Sequence, residues 1–147
     1  MHKDFELLPH TADLKIRVYG TTLEQLFRHA LIGMFQSIGP RSKNCKKKGE
    51  RLYCPQLPQQ HDITLQAHDL TSLLVSFLSE ALALSDIHNE AYLDVVIHEL
   101  DQNHIRATLQ GVPIEGFEVV EIKAVTYHDL NIKKVDGAWQ TDIVFDI

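Results

Sequence analysis

The sequence has no apolar run of the roughly 18–20 residues that a membrane span requires. Its opening stretch, MHKDFELLPHTAD, lacks the apolar core of a secretory leader. Both absences set the expectation of a cytoplasmic protein with no membrane partner. Cysteine is scarce: Cys45 and Cys54 are the only two. That is too few for a disulfide scaffold and compatible with a reducing compartment, and it leaves no second cysteine pair for a zinc site. There is no P-loop, no GxGxxG, no GxSxG and no HExxH, so the common carriers of nucleotide, acyl-transfer and zinc-protease chemistry are missing. GVPIEG holds two glycines, but Pro113 removes a donor that a phosphate cradle would use, which makes it a turn. No low-complexity segment occurs.

What is present suits one domain over residues 1–147. A chain of this length buries roughly 68–70% of its unfolded surface and needs no staples. The net charge of −6 is unevenly spread. Arg41, Lys43, Lys46, Lys47, Lys48 and Arg51 stand in one stretch with only Glu50 against them. The rest of the chain then carries eight positive and nineteen negative side chains. An acidic body of this kind repels phosphate backbones and is a poor general binder of nucleic acid. The basic stretch reads as a solvated connector or, less often for such runs, as a docking loop.

Hydropathy patterning supplies the elements. DLKIRVYG alternates and predicts a half-buried strand. TTLEQLFRHALIGMFQSIGP places Leu23, Leu26, Phe27, Ala30, Leu31, Met34, Phe35 and Ile38 on one helical face. Thr21 with Glu24, or Thr22 with Gln25, can form a capping box, and Gly39-Pro40 ends the helix. Residues 40–61, with Pro40, Pro55 and Pro58, predict a long loop with a short strand at RLYC. DITLQA predicts a strand. HDLTSLLVSFLSEALALSD predicts a second amphipathic helix capped by Asp69. AYLDVVIHEL and HIRATLQG predict a hairpin. EVVEIKAVTYHDLNI alternates as a long strand, and the Asp-Gly of KVDGAW predicts a tight turn into WQTDIVFDI. Two amphipathic helices on a mostly antiparallel sheet give a two-layer α+β domain. The order strand, helix, strand recurs over 13–65 and 63–97, a hint of duplication.

Few polar residues stand out as chemistry. Asp13 opens the first strand and Asp146 closes the last, one residue before the carboxylate of Ile147. If these strand ends are neighbours, three negative charges meet and call for a cation. A hard divalent ion with oxygen ligands, Ca²⁺, Mg²⁺ or Mn²⁺, is one solution. Lys123 on the polar face of the long strand is another. On pattern alone the alternative stands, with Asp13 a turn residue, Asp146 solvated and Lys123 on the surface. His10 and His128 each border a predicted strand end and are further candidates. The remaining histidines, including His61, His68 and His88, are dispersed without ligand-pair spacing. A carboxylate-bound metal could serve a phosphoester hydrolase, and a pocket between helices and sheet could serve a small-ligand module.

Together, HTADLKIRVYGTTLEQLFRHALIGMF, DLTSLLVSFLSEALALSD, EIKAVTYHDL and the terminal IVFDI resemble the archease family, over His10 to Ile147. The resemblance implies a fold of two strand-helix-strand-strand (SHS2) units. It implies an accessory protein and not an enzyme. Such a protein activates an RtcB-type RNA ligase by promoting guanylylation of a ligase histidine and multiple turnover, in tRNA splicing or RNA repair. The partner is the ligase, with RNA reached only indirectly. The family's divalent-metal ligands fall on Asp13, Asp146 and Ile147, the last through its C-terminal oxygens, and its functional lysine falls on Lys123.

Overall fold

A computed structural model describes residues 3–9 and 12–147; His10, a candidate above, lies outside the described residues. The elements run β1 (Phe5–Leu8), β2 (Leu14–Gly20), α1 (Leu23–Ser37), β3 (Lys46–Lys48), β4 (Arg51–Tyr53), β5 (Gln59–Gln66), α2 (Leu70–His88), β6 (Glu90–Leu100), β7 (His104–Pro113), β8 (Ala124–Val125), β9 (Lys133–Val135) and β10 (Ala138–Asp146). The expected α+β architecture of two helices on antiparallel sheets is what forms. One sheet has the order β1-β2-β10-β8, with β9 also paired to β10. A second has the order β5-β7-β6.

In both sheets the strand before the helix pairs with the last strand of its set, and the middle strand lies outermost: β2-β10-β8 around α1, and β5-β7-β6 around α2. The duplication is therefore nested, not in tandem over 13–65 and 63–97. The whole β5-α2-β6-β7 set is inserted between α1 and β8. Local periodicity cannot distinguish the two arrangements, because it says nothing about which distant strand completes a sheet.

The helix caps follow the sequence closely. Gln25 N donates to Thr22 Oγ1 at 3.1 Å, and Ser72 N donates to Asp69 Oδ1 at 2.7 Å. Helix α1 differs from expectation in being buried almost all round, not along one face. The two sheets explain this. Gly33 lies so close to the β1 residue Phe5 that an added Cβ would sit 2.9 Å from its ring. On another side, Phe35 meets Tyr92 of β6 edge-on at 5.6 Å. Phe27 meets Phe77 of α2 at 5.6 Å. By length and composition α2 could cross a membrane. In the fold, Leu73, Leu74, Phe77, Leu78 and Ala81 are fully buried, as in a core helix.

Three further readings are corrected. The long strand expected over EVVEIKAVTYHDLNI is mostly loop, with only Ala124–Val125 in β8. Its alternation still buries Val120, Ile122 and Val125 partly against the core. Its backbone, however, bonds to scattered partners: Glu118 N to Gly39 O and Val119 N to Ile38 O. The loop at 40–61 contains the β3–β4 hairpin, and β5 begins inside it at Gln59. Cys45 and Cys54, read as compatible with a reducing compartment, are joined in a disulfide. They occupy the rung next to Lys46↔Tyr53, so the hairpin register itself brings them together. Strand β1 had no sequence signal beyond FELL. The Asp136-Gly137 turn between β9 and β10 forms as expected, both residues at positive φ.

Candidate functional site at the end of strand β10

Strand β10 pairs with β2 from Trp139↔Gly20 to Phe145↔Leu14. Ile16, Ile143, Leu14 and Phe145 point into the core. The opposite face is polar, and its cross-strand pairs form a short series. Asp142 stands opposite Arg17. Arg17 donates to both carboxylate oxygens, at 2.7 and 3.1 Å, and this raises the guanidinium pKa above its ordinary value. Next comes Lys15 opposite Val144. Lys15 Nζ reaches Asp129 at 3.2 Å and Asp142 at 4.0 Å. The ladder ends at Phe145↔Leu14; Asp13 lies in a bend just before β2, and Asp146 is the last residue of β10.

Asp13 is half-buried with its Oδ1 shielded, while Asp146 and Ile147 are exposed. On the far side of β10, Asp146 pairs with Ala124, and Lys123 N donates to Asp146 O at 2.7 Å. Lys123 therefore lies at the same sheet end as the two aspartates. It does not sit on a long central strand: it is exposed, just before the edge strand β8.

Of the sequence-predicted residues, Lys123 is bonded through its backbone to Asp146, and Asp13 immediately precedes Leu14, the last β2 residue paired with β10. His128 lies in the turn after β8, exposed, with Nε2 3.6 Å from Asp129. The residues that sequence missed are Lys15, Arg17, Asp129 and Asp142. Their alternation with apolar neighbours marks a polar sheet face, but no local pattern shows that Asp129 folds back over it. Among the described residues no three His, Cys, Asp or Glu side chains converge on an ion position. The side chains of Asp13 and Asp146 are hard oxygen donors. That chemistry fits Ca²⁺, Mg²⁺ or Mn²⁺ and not a soft metal.

Beside Lys123 a cleft of about 490 Å³ opens between the second half of α2 and the 114–125 segment. Ser79, Asp86, Asn89, Phe117, Glu121 and Lys123 contribute to its walls.

The sequence profile of the Archease protein family (MTH1598/TM1083) matches residues 5–147. The chain belongs to the archease family. It is similar to a "Protein archease" of Pyrococcus furiosus, at 36% identity over 99% of both chains. It is also similar to one of Methanosarcina mazei, at 34% identity over 99% of this chain and 97% of the relative. Its fold is similar to the solution structure of protein 1598 of Methanobacterium thermoautotrophicum (TM-score 0.68, 30% identity, 98% of this chain and 99% of that one). It also resembles the crystal structure of an archease from Thermotoga maritima described as a possible chaperone (TM-score 0.62, 18% identity, 100% of this chain and 98% of that one). The second likeness bears on the fold alone.

Proposed function

We propose that this chain is a metal-bearing accessory protein that activates an RtcB-type RNA ligase. In this reading it promotes guanylylation of a ligase histidine and multiple turnover, in tRNA splicing or RNA repair, and performs no catalysis itself. The observation that carries the reading is the bond from Lys123 N to Asp146 O, which holds Lys123 at the end of β10, beside the last β2–β10 pair Phe145↔Leu14 that Asp13 precedes. Membership of the archease family supports it. A hard divalent cation held by Asp13, Asp146 and the Ile147 carboxylate would relieve their repulsion and offer positive charge to a phosphate. Lys123 carries a compact ammonium on a flexible stem, suited to a phosphate or an acidic ligase group. The ligase is the direct partner in this role and holds the RNA to be joined; the setting is cytoplasmic, where the Cys45–Cys54 disulfide is an exception to the usual reduced state.

A ligase guanylylation assay with and without the chain tests this. Stimulation by the wild-type protein, with no reaction of the chain alone on RNA and metal, is the expected outcome. An unchanged guanylylation rate overturns the reading. Phosphoester hydrolysis by the purified chain would instead favour a metal hydrolase. The cleft beside Lys123 favours a second reading, a small-ligand module. Saturable nucleotide binding with no effect on a ligase would favour that one.

A further inference from the structure

The β3–β4 hairpin has two unlike faces. Its inner face is fixed to the body. Leu52 is 8% exposed, and the Gln36 side chain accepts from Leu52 N and donates to Leu52 O, both at 2.9 Å. Lys47 on the same face pairs with Glu118. The disulfide joins Cys45 to Cys54 at the hairpin's open end, where both pack partly against the core.

The register puts the opposite character outside. Lys46 faces Tyr53, and Lys48 faces Arg51. Arg51 is turned toward β1, over the Phe5 ring and 3.7 Å from Asp4. Lys46 and Lys48 have no ion-pair partner among the described residues. Tyr53 is 51% exposed, with Lys48 Nζ 5.7 Å from its ring centroid. Lys43, Lys46, Lys48 and Tyr53 border a shallow concavity of about 700 Å³.

We propose that this outer face binds the backbone of a single-stranded polynucleotide, with a base stacked on Tyr53 and phosphates on Lys43, Lys46 and Lys48. Charge sets the partner's sign. The hairpin is a cationic surface on a body that is otherwise acidic, so a polyanion can meet it and little else on the body. The exposed ring beside Lys46 and Lys48 sets the class; Lys43, at the rim, shares its charge with Glu115 at 3.4 Å. Lysines two residues apart on a strand are spaced about 7 Å, and an aromatic face between phosphate-binding cations is how single strands are held without sequence readout. An acidic protein segment gains nothing from the ring. A membrane would need an apolar tip, and the tip here is Gly49-Glu50. This contact is the chain's own and does not depend on the ligase reading.

The test is fluorescence anisotropy of a labelled oligouridylate with the full chain, in chelator and without any ligase. We expect saturable low-salt binding whose log–log salt slope is about −2, three phosphates at about −0.7 each. Tyr53→Ala should weaken it by about 5- to 100-fold and Tyr53→Phe should preserve it. Lys46→Gln with Lys48→Gln should abolish it while the circular dichroism spectrum stays native. Oligothymidylate should bind comparably, since no 2′-hydroxyl is read. Absence of binding at low salt, full binding by the double-lysine variant, or equal competition by polyglutamate would each overturn the proposal. The last outcome would assign the face to an acidic protein.

Discussion

Glu90 and Asp146 are both carboxylates on antiparallel strands, and the fold treats them in opposite ways. Glu90 is 7% exposed at the start of β6. Tyr92 OH donates to its Oε1 at 2.8 Å, and His61 Nε2 lies 2.6 Å from the same oxygen. His61 in turn stacks on His88 at 4.6 Å. Asp146 is exposed at the end of β10, one residue past the last pair with β2, and pairs with Ala124 on its other side. The first carboxylate is closed by neutral or cationic partners and does structural work. The second is exposed to solvent, where a cation can approach it from outside. Burial with satisfied hydrogen bonds marks structure, whereas exposure at a strand end leaves a carboxylate accessible to a ligand.

The largest effect expected from this contrast is at Glu90. Glu90→Ala leaves the Tyr92 hydroxyl and the His61 ring without their common acceptor, and should cost about 2–3 kcal/mol of stability in urea denaturation. A loss no greater than that of an exposed substitution would break the contrast from the structural side.

Tyr92 gives a smaller, pH-dependent effect. Burial, then the hydrogen bond and charge of Glu90, push its phenol above the ordinary range. A raised pKa in the folded state gives stability that is complete below the unfolded value of about 10 and is lost as pH rises through the folded one. Wild-type stability should therefore fall above about pH 10, and Tyr92→Phe should remove that component of the fall. A Tyr92→Phe profile that overlays the wild type at alkaline pH would contradict it.

The smallest stability effect belongs to the open site. Lys123→Ala should change stability by no more than about 0.5 kcal/mol, as at other exposed positions. It should abolish stimulation of ligase guanylylation, and metal affinity should stay the same or rise because a nearby positive charge is gone. Retained stimulation with a lowered melting temperature would make Lys123 structural and move it to the closed side of the comparison.

Much of this was legible in the sequence where the signal is local. Thr22, Asp69 and Asp136-Gly137 act over two or three residues, and each forms as its pattern requires. Strands β2, β6, β7 and β10 follow from alternation. What was not legible depends on distant partners. The alternation of 118–127 looks like a strand, but β10 offers it only two residues of ladder, at Val125 and Ala124. The His61–His88–Glu90–Tyr92 group joins β5, α2 and β6, so spacing along the chain conceals it. The Cys45–Cys54 bond depends on a hairpin register that Lys46-Lys47-Lys48 does not announce. The residues of the proposed site stood out in the sequence because alternation places them at strand ends, Asp13 just before β2 and Asp146 at the end of β10.

In the proposed reading Asp13 and Asp146 hold a cation and are not a structural pair. Thermal melting of wild type and Asp146→Asn, each in chelator and in excess Ca²⁺, Mg²⁺ or Mn²⁺, tests it most directly. A ligand that binds only the folded state raises its melting temperature. The account predicts that at least one of these ions raises the wild-type melting temperature and leaves Asp146→Asn unmoved. It also predicts that in chelator the variant melts no lower than wild type, because one of two repelling charges is gone. A variant that melts several degrees lower in chelator, with wild type insensitive to all three ions, would contradict it.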